Sequence, residues 1–357
     1  MRIVITGASG NVGTALLRRL QSDPAQDHQV VGVVRRRPQS VAPYDDVEWV
    51  TADLASADVR VALDEALEGA DAVVHLAWGF QPARDTDYLD RVGIAGTREL
   101  VRAADAAGVE HLVHMSSVGA YSGAITKGRV TEAWPTEGVP SLAYSRAKAE
   151  VERLLDEYDG RGGGMVVTRL RPGLVLQRDA ASSLLRYGLP GYLPRRLVSA
   201  LPVLPLDASL RIQVVHADDV ADAIVRALEQ RVSGAFNLAA EPVIGRQGLA
   251  AALEARPLPM PRAVLRAVIG ATWHARLHAL DPGWIDLAFD TPLMDTTRAR
   301  TELGWDPRVS ATDALDELVR GMRDGANTLS PVLRSRRVVD RLSRLVRSGG
   351  IGSRRLP

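Results

Sequence analysis

The sequence predicts an α/β protein built on a doubly wound parallel sheet, with a smaller, interleaved lobe toward the C-terminus. Three observations carry this. Short, near-continuous Val/Ile/Leu runs alternate with helical patterns through the first half of the chain. Such runs suit strands buried on both faces, and their alternation with helices is the pattern of right-handed βαβ units. A glycine-rich loop joins the first strand to the first helix, and after about residue 177 the texture turns rich in proline and leucine.

The strand-like runs are, in order, "RIVIT", "QVVGVV", "VEWV", "DAVVHLA", "HLVHMSS" and "MVVTRLRP". Between several of them lie "TALLRRLQ", "VRVALDEALEG" and "TRELVRAADAAG", whose apolar residues recur at helical spacing. "RIQVVHADDVADAIVRAL" and "GAFNLA" read as returns to the main sheet. From about Ser330 the chain changes again: Val338, Val339, Leu342, Leu345 and Val346 share one helical face with arginines opposite. That tail reads as a helix with a solvated basic side, the sharper alternative being contact with an acidic partner or an anionic membrane surface.

Composition narrows the function classes. The 357 residues are 46% hydrophobic and carry 44 basic against 43 acidic side chains, a net charge of +1. There is no global field to attract nucleic acid or anionic lipid. The absence of cysteine rules out disulfides, thiolate nucleophiles and thiolate-bound metals, and no metal site is expected. The opening "MRIVITG" lacks the apolar run and cleavage site of a signal peptide, and no segment approaches the ~20 apolar residues of a membrane span. A cytoplasmic protein is the expectation.

In "ITGASGNVGTALL", Gly7, Gly10 and Gly13 follow a strand and open a helix. Glycine allows the tight turn and lets a pyrophosphate approach without an intervening Cβ. The helix N-terminus offers free N–H groups and positive dipole charge to phosphates, with Ser9, Asn11 and Val12 in the same loop. An NAD site normally carries a carboxylate after the second strand for the ribose 2′-hydroxyl. Here "VVRRRPQS" has Arg35, Arg36 and Arg37 instead, and a guanidinium binds a 2′-phosphate that a carboxylate would repel. NADP(H) is the favoured cofactor, through Arg35 and Arg36, and NAD(H) stays open.

In "AYSRAKAE", Tyr144 and Lys148 stand four residues apart, on one face of a helix. The glycine loop, "HLAW", "MSSVGAY" and "YSRAK", in that order, together resemble the extended short-chain dehydrogenase/reductase superfamily, the NAD-dependent epimerase/dehydratase family. The resemblance runs through "LRPGLVL", "VHADDVADAI" and "MDTTRARTELGWDP", over about residues 1–325. It implies a Rossmann-type domain over residues 1–177, with returns near 212–240 and 285–296. A substrate-binding lobe would occupy 178–329, and 330–357 would be the basic tail. It also implies Ser117, Tyr144 and Lys148 as the catalytic group. Asp53 and Leu54 would lie at the adenine, with Leu76, Ala77, Trp78 and Pro172 on the nicotinamide side and Lys148 on the ribose. Family members often pair through the helix of the catalytic tyrosine, so a homodimer is compatible. Val151, Leu154 and Leu155 would contribute there or pack on the sheet.

The chemistry needs these residue types. A free phenol titrates near ~10, and a nearby ammonium favours its ionised form. Tyr144 would then exchange a proton with a substrate oxygen as hydride moves, Ser117 holding the same oxygen. His75, in an apolar strand, reads as structural.

Five positions depart from the family pattern. Gly93 replaces an asparagine, with no reason legible in the sequence. Leu174 replaces another that sugar-nucleotide enzymes use. Arg211 stands one residue out of register for their phosphate-binding arginine, leaving Arg195 and Arg196 as substitutes. Val118 and Gly119 stand where 4,6-dehydratases carry an Asp-Glu pair, which argues against that elimination. The expected function is an NADP(H)-dependent oxidoreductase acting on a small-molecule carbonyl or alcohol. The apolar residues 180–207 point to a substrate less polar than a sugar diphosphate. A sugar-nucleotide epimerase and a non-catalytic NAD(P)-binding sensor are the alternatives.

Overall fold

A computed structural model describes residues 1–22, 28–79, 86–123, 128–188, 202–278 and 280–334. Arg195, Arg196 and the apolar face of the basic tail lie outside the described residues, as does much of the 180–207 segment.

Seven parallel strands form the central sheet: β1 (Arg2–Thr6), β2 (Gln29–Val34), β3 (Glu48–Thr51), β4 (Ala72–His75), β5 (His111–Met115), β6 (Val166–Pro172) and β7 (Gly234–Leu238). Their order is β7-β6-β5-β4-β1-β2-β3. Ile3 on β1 registers with Val30 on one side and Ala72 on the other. The order therefore reverses at β1, and the crevice beside its carboxyl end is where such sheets bind ligands. The doubly wound fold class holds.

Alternation along β1 sends side chains to two separate cores. Ile3 and Ile5 pack with Leu16 and Leu17 of α1 (Asn11–Gln21), Ile224 and Leu228 of α2 (Ala217–Gln230), and the fully buried Trp305. Val4 lies in the opposite core with Leu63, Leu67, Leu100, Val101, Val151 and Leu155. Val151 and Leu155 are thus fully buried against the sheet, not offered to a second subunit.

The helix that carries Tyr144 is α3 (Ala143–Gly160). Ala, Arg, Lys, Glu and Leu dominate it, all strong helix formers, and Ala147, Val151, Leu155 and Tyr158 make its buried stripe. Beyond its end Gly162 adopts a left-handed φ of 72°, which suits glycine.

The chain after β6 adds smaller pieces outside the seven-stranded sheet. Leu174–Leu176 pairs in parallel with Val214–His216, and Arg211–Ile212 pairs with Ile244–Gly245. Near residues 285–296 the chain meets the first domain as a two-residue ribbon, Leu293–Met294 against Arg129–Val130, outside the seven-stranded sheet. The helix Gly283–Asp290 sits beside it. No helix among the described residues is long and apolar enough to cross a membrane.

Candidate active site

The glycine loop shows why it is glycine-rich. Gly7 has a φ of 72°, and a Cβ there would lie 2.8 Å from the Ala77 backbone nitrogen. A Cβ on Gly13 would lie 2.5 Å from the carbonyl oxygens of Gly7 and Ala8. The first glycine lets β1 turn beneath the end of β4; the third lets α1 pack close on the loop. Gly10 caps α1, leaving the first N–H groups of that helix facing the crevice.

A cavity of about 510 Å³ opens from this loop. Gly7, Gly10, Asn11, Val12, Gly13, Arg35, Leu76, Trp78, Ser117, Tyr144, Lys148 and Pro172, all anticipated from the sequence, line it. Ser9, Arg36, Asp53, Leu54 and Ala77 do not. Asp53 instead accepts hydrogen bonds from the Tyr88 hydroxyl at 3.0 Å and the Ala55 N–H at 3.0 Å, while Arg35 donates to the same hydroxyl at 2.7 Å. Asn11 is also committed: its amide donates to the Val175 carbonyl at 3.1 Å, and its side-chain oxygen accepts from Gln177 at 2.6 Å. Ser9 is buried. Arg37 donates to the Trp49 carbonyl. Arg36 keeps one guanidinium nitrogen, Nη2, buried without a hydrogen-bond partner. A Cβ-free turn, a capping N-terminus and an unsatisfied guanidinium fit a dinucleotide, its pyrophosphate on the loop and its adenosine end toward the arginines.

At the other end Tyr144, Lys148 and Ser117 meet. The half-buried Tyr144 hydroxyl is hydrogen-bonded to the Ser117 side chain. Its ring stacks on Trp284, centroids 5.4 Å apart, and takes the edge of Trp78 at 6.3 Å. Lys148 is 3% exposed; its Nζ donates to the Met115 carbonyl at 2.8 Å and sits 3.5 Å from the Trp78 ring centroid, a cation–π contact. Burial lowers the Lys148 ammonium to about 7, partly opposed by the charge of Glu152. Burial drives the phenol up to about 12, partly opposed by Ser117. Lys148 is not among the groups that shift this phenol. Two indoles strip water from the ring, and that desolvation outweighs the polar neighbours.

His75 is buried and wedged between the hydroxyls of Thr6 at 2.6 Å and Thr97 at 2.8 Å. Burial, then the charge of Lys148, lowers it to about 3, so it stays neutral.

Several contributors were not found from the sequence. Glu152 lies one turn beyond Lys148 and is fully buried, held by Arg171 through two contacts of 2.8 and 2.9 Å and by Ser116 at 2.5 Å. Burial pushes this carboxyl up, but Arg171, Ser116 and Arg169 more than offset it, leaving it below the ordinary value. The pair pins the helix of Tyr144 to β6. Its signal was present: charged residues at 169 and 171 inside an apolar strand, and a Lys-x-x-x-Glu spacing. Trp284 is placed by Gly283, where a Cβ would lie 2.6 Å from the Ser141 carbonyl. Gly119 serves similarly, since its Cβ would come 3.1 Å from the Tyr144 ring.

The outer wall is apolar: Leu174, Ile212, Trp284, Leu287, Pro292 and Leu293, with Arg211 and Gln213 among them. Gln213 is tied to the Met294 backbone by bonds of 3.0 and 2.5 Å.

Comparison with known proteins gives a consistent picture. The model of the NAD dependent epimerase/dehydratase family matches residues 3–239. An uncharacterized protein of Mycobacterium tuberculosis is 31% identical over 329 residues, covering 90% of this chain and 30% of its own length. The chain thus spans about a third of that relative. Sterol demethylase protein B of Methylococcus capsulatus is 33% identical over 230 residues, 59% of this chain and 67% of that protein. The solved UDP-glucose 4-epimerase of Thermotoga maritima, in complex with UDP-glucose, superposes with a TM-score of 0.68 at 19% identity, covering 91% of this chain and 99% of that one. At that identity it speaks to the fold alone.

Proposed function

The chain belongs to the NAD dependent epimerase/dehydratase family, and from that premise we propose an NADP(H)-dependent oxidoreductase acting on an apolar carbonyl or alcohol. The observation that carries this reading is the convergence of Ser117, Tyr144 and Lys148 in one cavity with the glycine loop. The bound nicotinamide would supply or receive the hydride. The chain's own residues do the rest. At neutral pH the Tyr144 phenol keeps its proton, the form that donates to a carbonyl oxygen as the carbon is reduced. Ser117 holds that oxygen, and Lys148, at the foot of the same helix face, holds the ribose and helps return the proton from solvent.

The walls of Leu174, Ile212, Leu287 and Leu293 supply burial rather than hydrogen bonds, so the substrate beside Tyr144 is apolar. A relative named for sterol demethylation accords with this. Arg211 on the same wall favours a second reading, a sugar-nucleotide epimerase whose diphosphate it would bind.

The test is a screen of apolar carbonyl compounds and sugar nucleotides, following reduced cofactor by absorbance. A reductase consumes cofactor in proportion to product; an epimerase shows no net change. Tyr144→Phe should abolish turnover while leaving nucleotide binding intact. Function that survives this change would mean a sensor instead, and a protein that binds neither NADPH nor NADH would end the proposal.

A further inference from the structure

We propose that residues 326–334, beyond the stretch matched by the family model, form a wall of the cofactor site: Val332 and Leu333 close the cleft over the glycine loop, and Arg334 joins Arg36 in holding the 2′-phosphate of NADP(H). The inference rests on the NADP(H) reading above and deepens it.

The helix Ala311–Asp324 ends at Gly325, whose left-handed φ of 69° turns the chain back toward α1. The following segment is then fastened at successive points. The Thr328 hydroxyl lies 3.3 Å from that of Tyr44, itself buried and 2.9 Å from the Thr14 hydroxyl on α1. Ser330 is fully buried and donates to the carbonyl of Ser9, inside the glycine loop, at 2.6 Å. Its hydroxyl in turn accepts the Val332 N–H at 3.2 Å, and its carbonyl accepts the Arg334 N–H at 2.9 Å. That single serine locks the segment's turn to the loop. Leu333, 1% exposed, and Val332 then line the same cavity as Gly7, Gly10 and Asn11.

Arg334 follows directly on this wall, and Arg36, which stands beside the cavity-lining Arg35 in sequence, is near enough to feel its charge. Arg36 is held below its ordinary value by burial, then by the charges of Arg35 and Arg334. Its Nη2 is buried without a partner. Guanidiniums gathered around an unsatisfied donor repel one another, and a phosphate dianion relieves both the repulsion and the missing hydrogen bond. NADH, with a neutral hydroxyl in that place, can accept the hydrogen bond but leaves the repulsion. A segment some 300 residues distant in the chain would thus help select the cofactor.

The experiment measures dissociation constants of NADPH and NADH by calorimetry on the full chain, for the wild type, Arg334→Gln and Leu333→Ala, with thermal unfolding to verify folding. Wild type should prefer NADPH. Arg334→Gln, an exposed position, should weaken NADPH by roughly 10- to 100-fold and NADH by less than about 3-fold, as loss of a charge-assisted contact to phosphate requires. Leu333→Ala should weaken both nucleotides together. An unchanged NADPH-to-NADH ratio in Arg334→Gln overturns the inference while leaving the proposed function standing. Tighter binding of both nucleotides by Leu333→Ala also overturns it, because the segment would then be a plug. A wild type that binds neither nucleotide removes the inference and the proposed function together.

Discussion

Gly93 and Trp78 are shape-complementary: a Cβ built at Gly93 would lie 3.0 Å from the Trp78 indole, whose face covers the Lys148 ammonium. The sequence offered no reason for glycine at position 93, where the family resemblance implies asparagine. The reason is steric. The indole occupies the space that a side chain at position 93 would take, and its face lies against the Lys148 ammonium.

Gly93→Asn should therefore destabilise the protein by about 1–3 kcal/mol, the usual cost of overpacking a filled site. Trp78→Ala should relieve it, so the double variant should be more stable than the sum of the singles by at least ~1 kcal/mol. Denaturant unfolding of the four proteins measures the coupling. Additive effects would mean that the two positions do not compete for space.

Lys148 makes stability depend on pH with a defined sign. Its folded value, about 7, lies below the ordinary 10.5, so the unfolded chain binds this proton more tightly. The cost of burying the ammonium is full below pH 7 and is relieved as pH rises from 7 toward 10.5. Relative to Lys148→Met, the wild type should gain stability steadily between pH 7 and 9. Because the substitution also strands the Met115 carbonyl, the slope and not the offset is the readout. Parallel curves would contradict the burial.

Glu152 should behave as a buried partner and not as a surface charge. Glu152→Ala leaves Arg171 uncompensated and should cost about 3–5 kcal/mol. The folded carboxyl lies below its unfolded value, so its stabilisation is present above the unfolded value and is lost as pH falls through the folded one. Urea unfolding at pH 7 and at pH 3 should show the gap between wild type and variant narrowing in acid.

Trp284 stacks on Tyr144 and forms the wall where a substrate must lie. Trp284→Ala should raise KM for an apolar substrate by about 10-fold or more, as loss of a large aromatic contact implies. Cofactor dissociation constants should not move. If kcat alone fell, the indole would be orienting the phenol and not the substrate.

The reach of sequence reasoning can be judged residue by residue. The strand-turn-helix around Gly7 was readable because its constraint is local: a left-handed turn and two close backbone approaches forbid a side chain. Tyr144 and Lys148 were readable because a helix repeats every 3.6 residues. Arg35 lines the cavity, but its bond to Tyr88 was not foreseen, because Tyr88 is 53 residues away. Asn11 lines the cavity as well, and its side chain also binds Val175 and Gln177, partners more than 160 residues distant that no local pattern announces.

By itself, then, the sequence determined the alternating architecture, the glycine turn and the four-residue spacing of phenol and amine. Each is a local or periodic property written in consecutive residues. Only the tertiary structure decided that Trp78 fills the space above Gly93, that two indoles raise the phenol, that Glu152 finds Arg171, and that residues 326–334 return to the loop at Ser9. Those outcomes depend on which distant surfaces exclude water from one another, and burial of that kind leaves no pattern in a single stretch of chain.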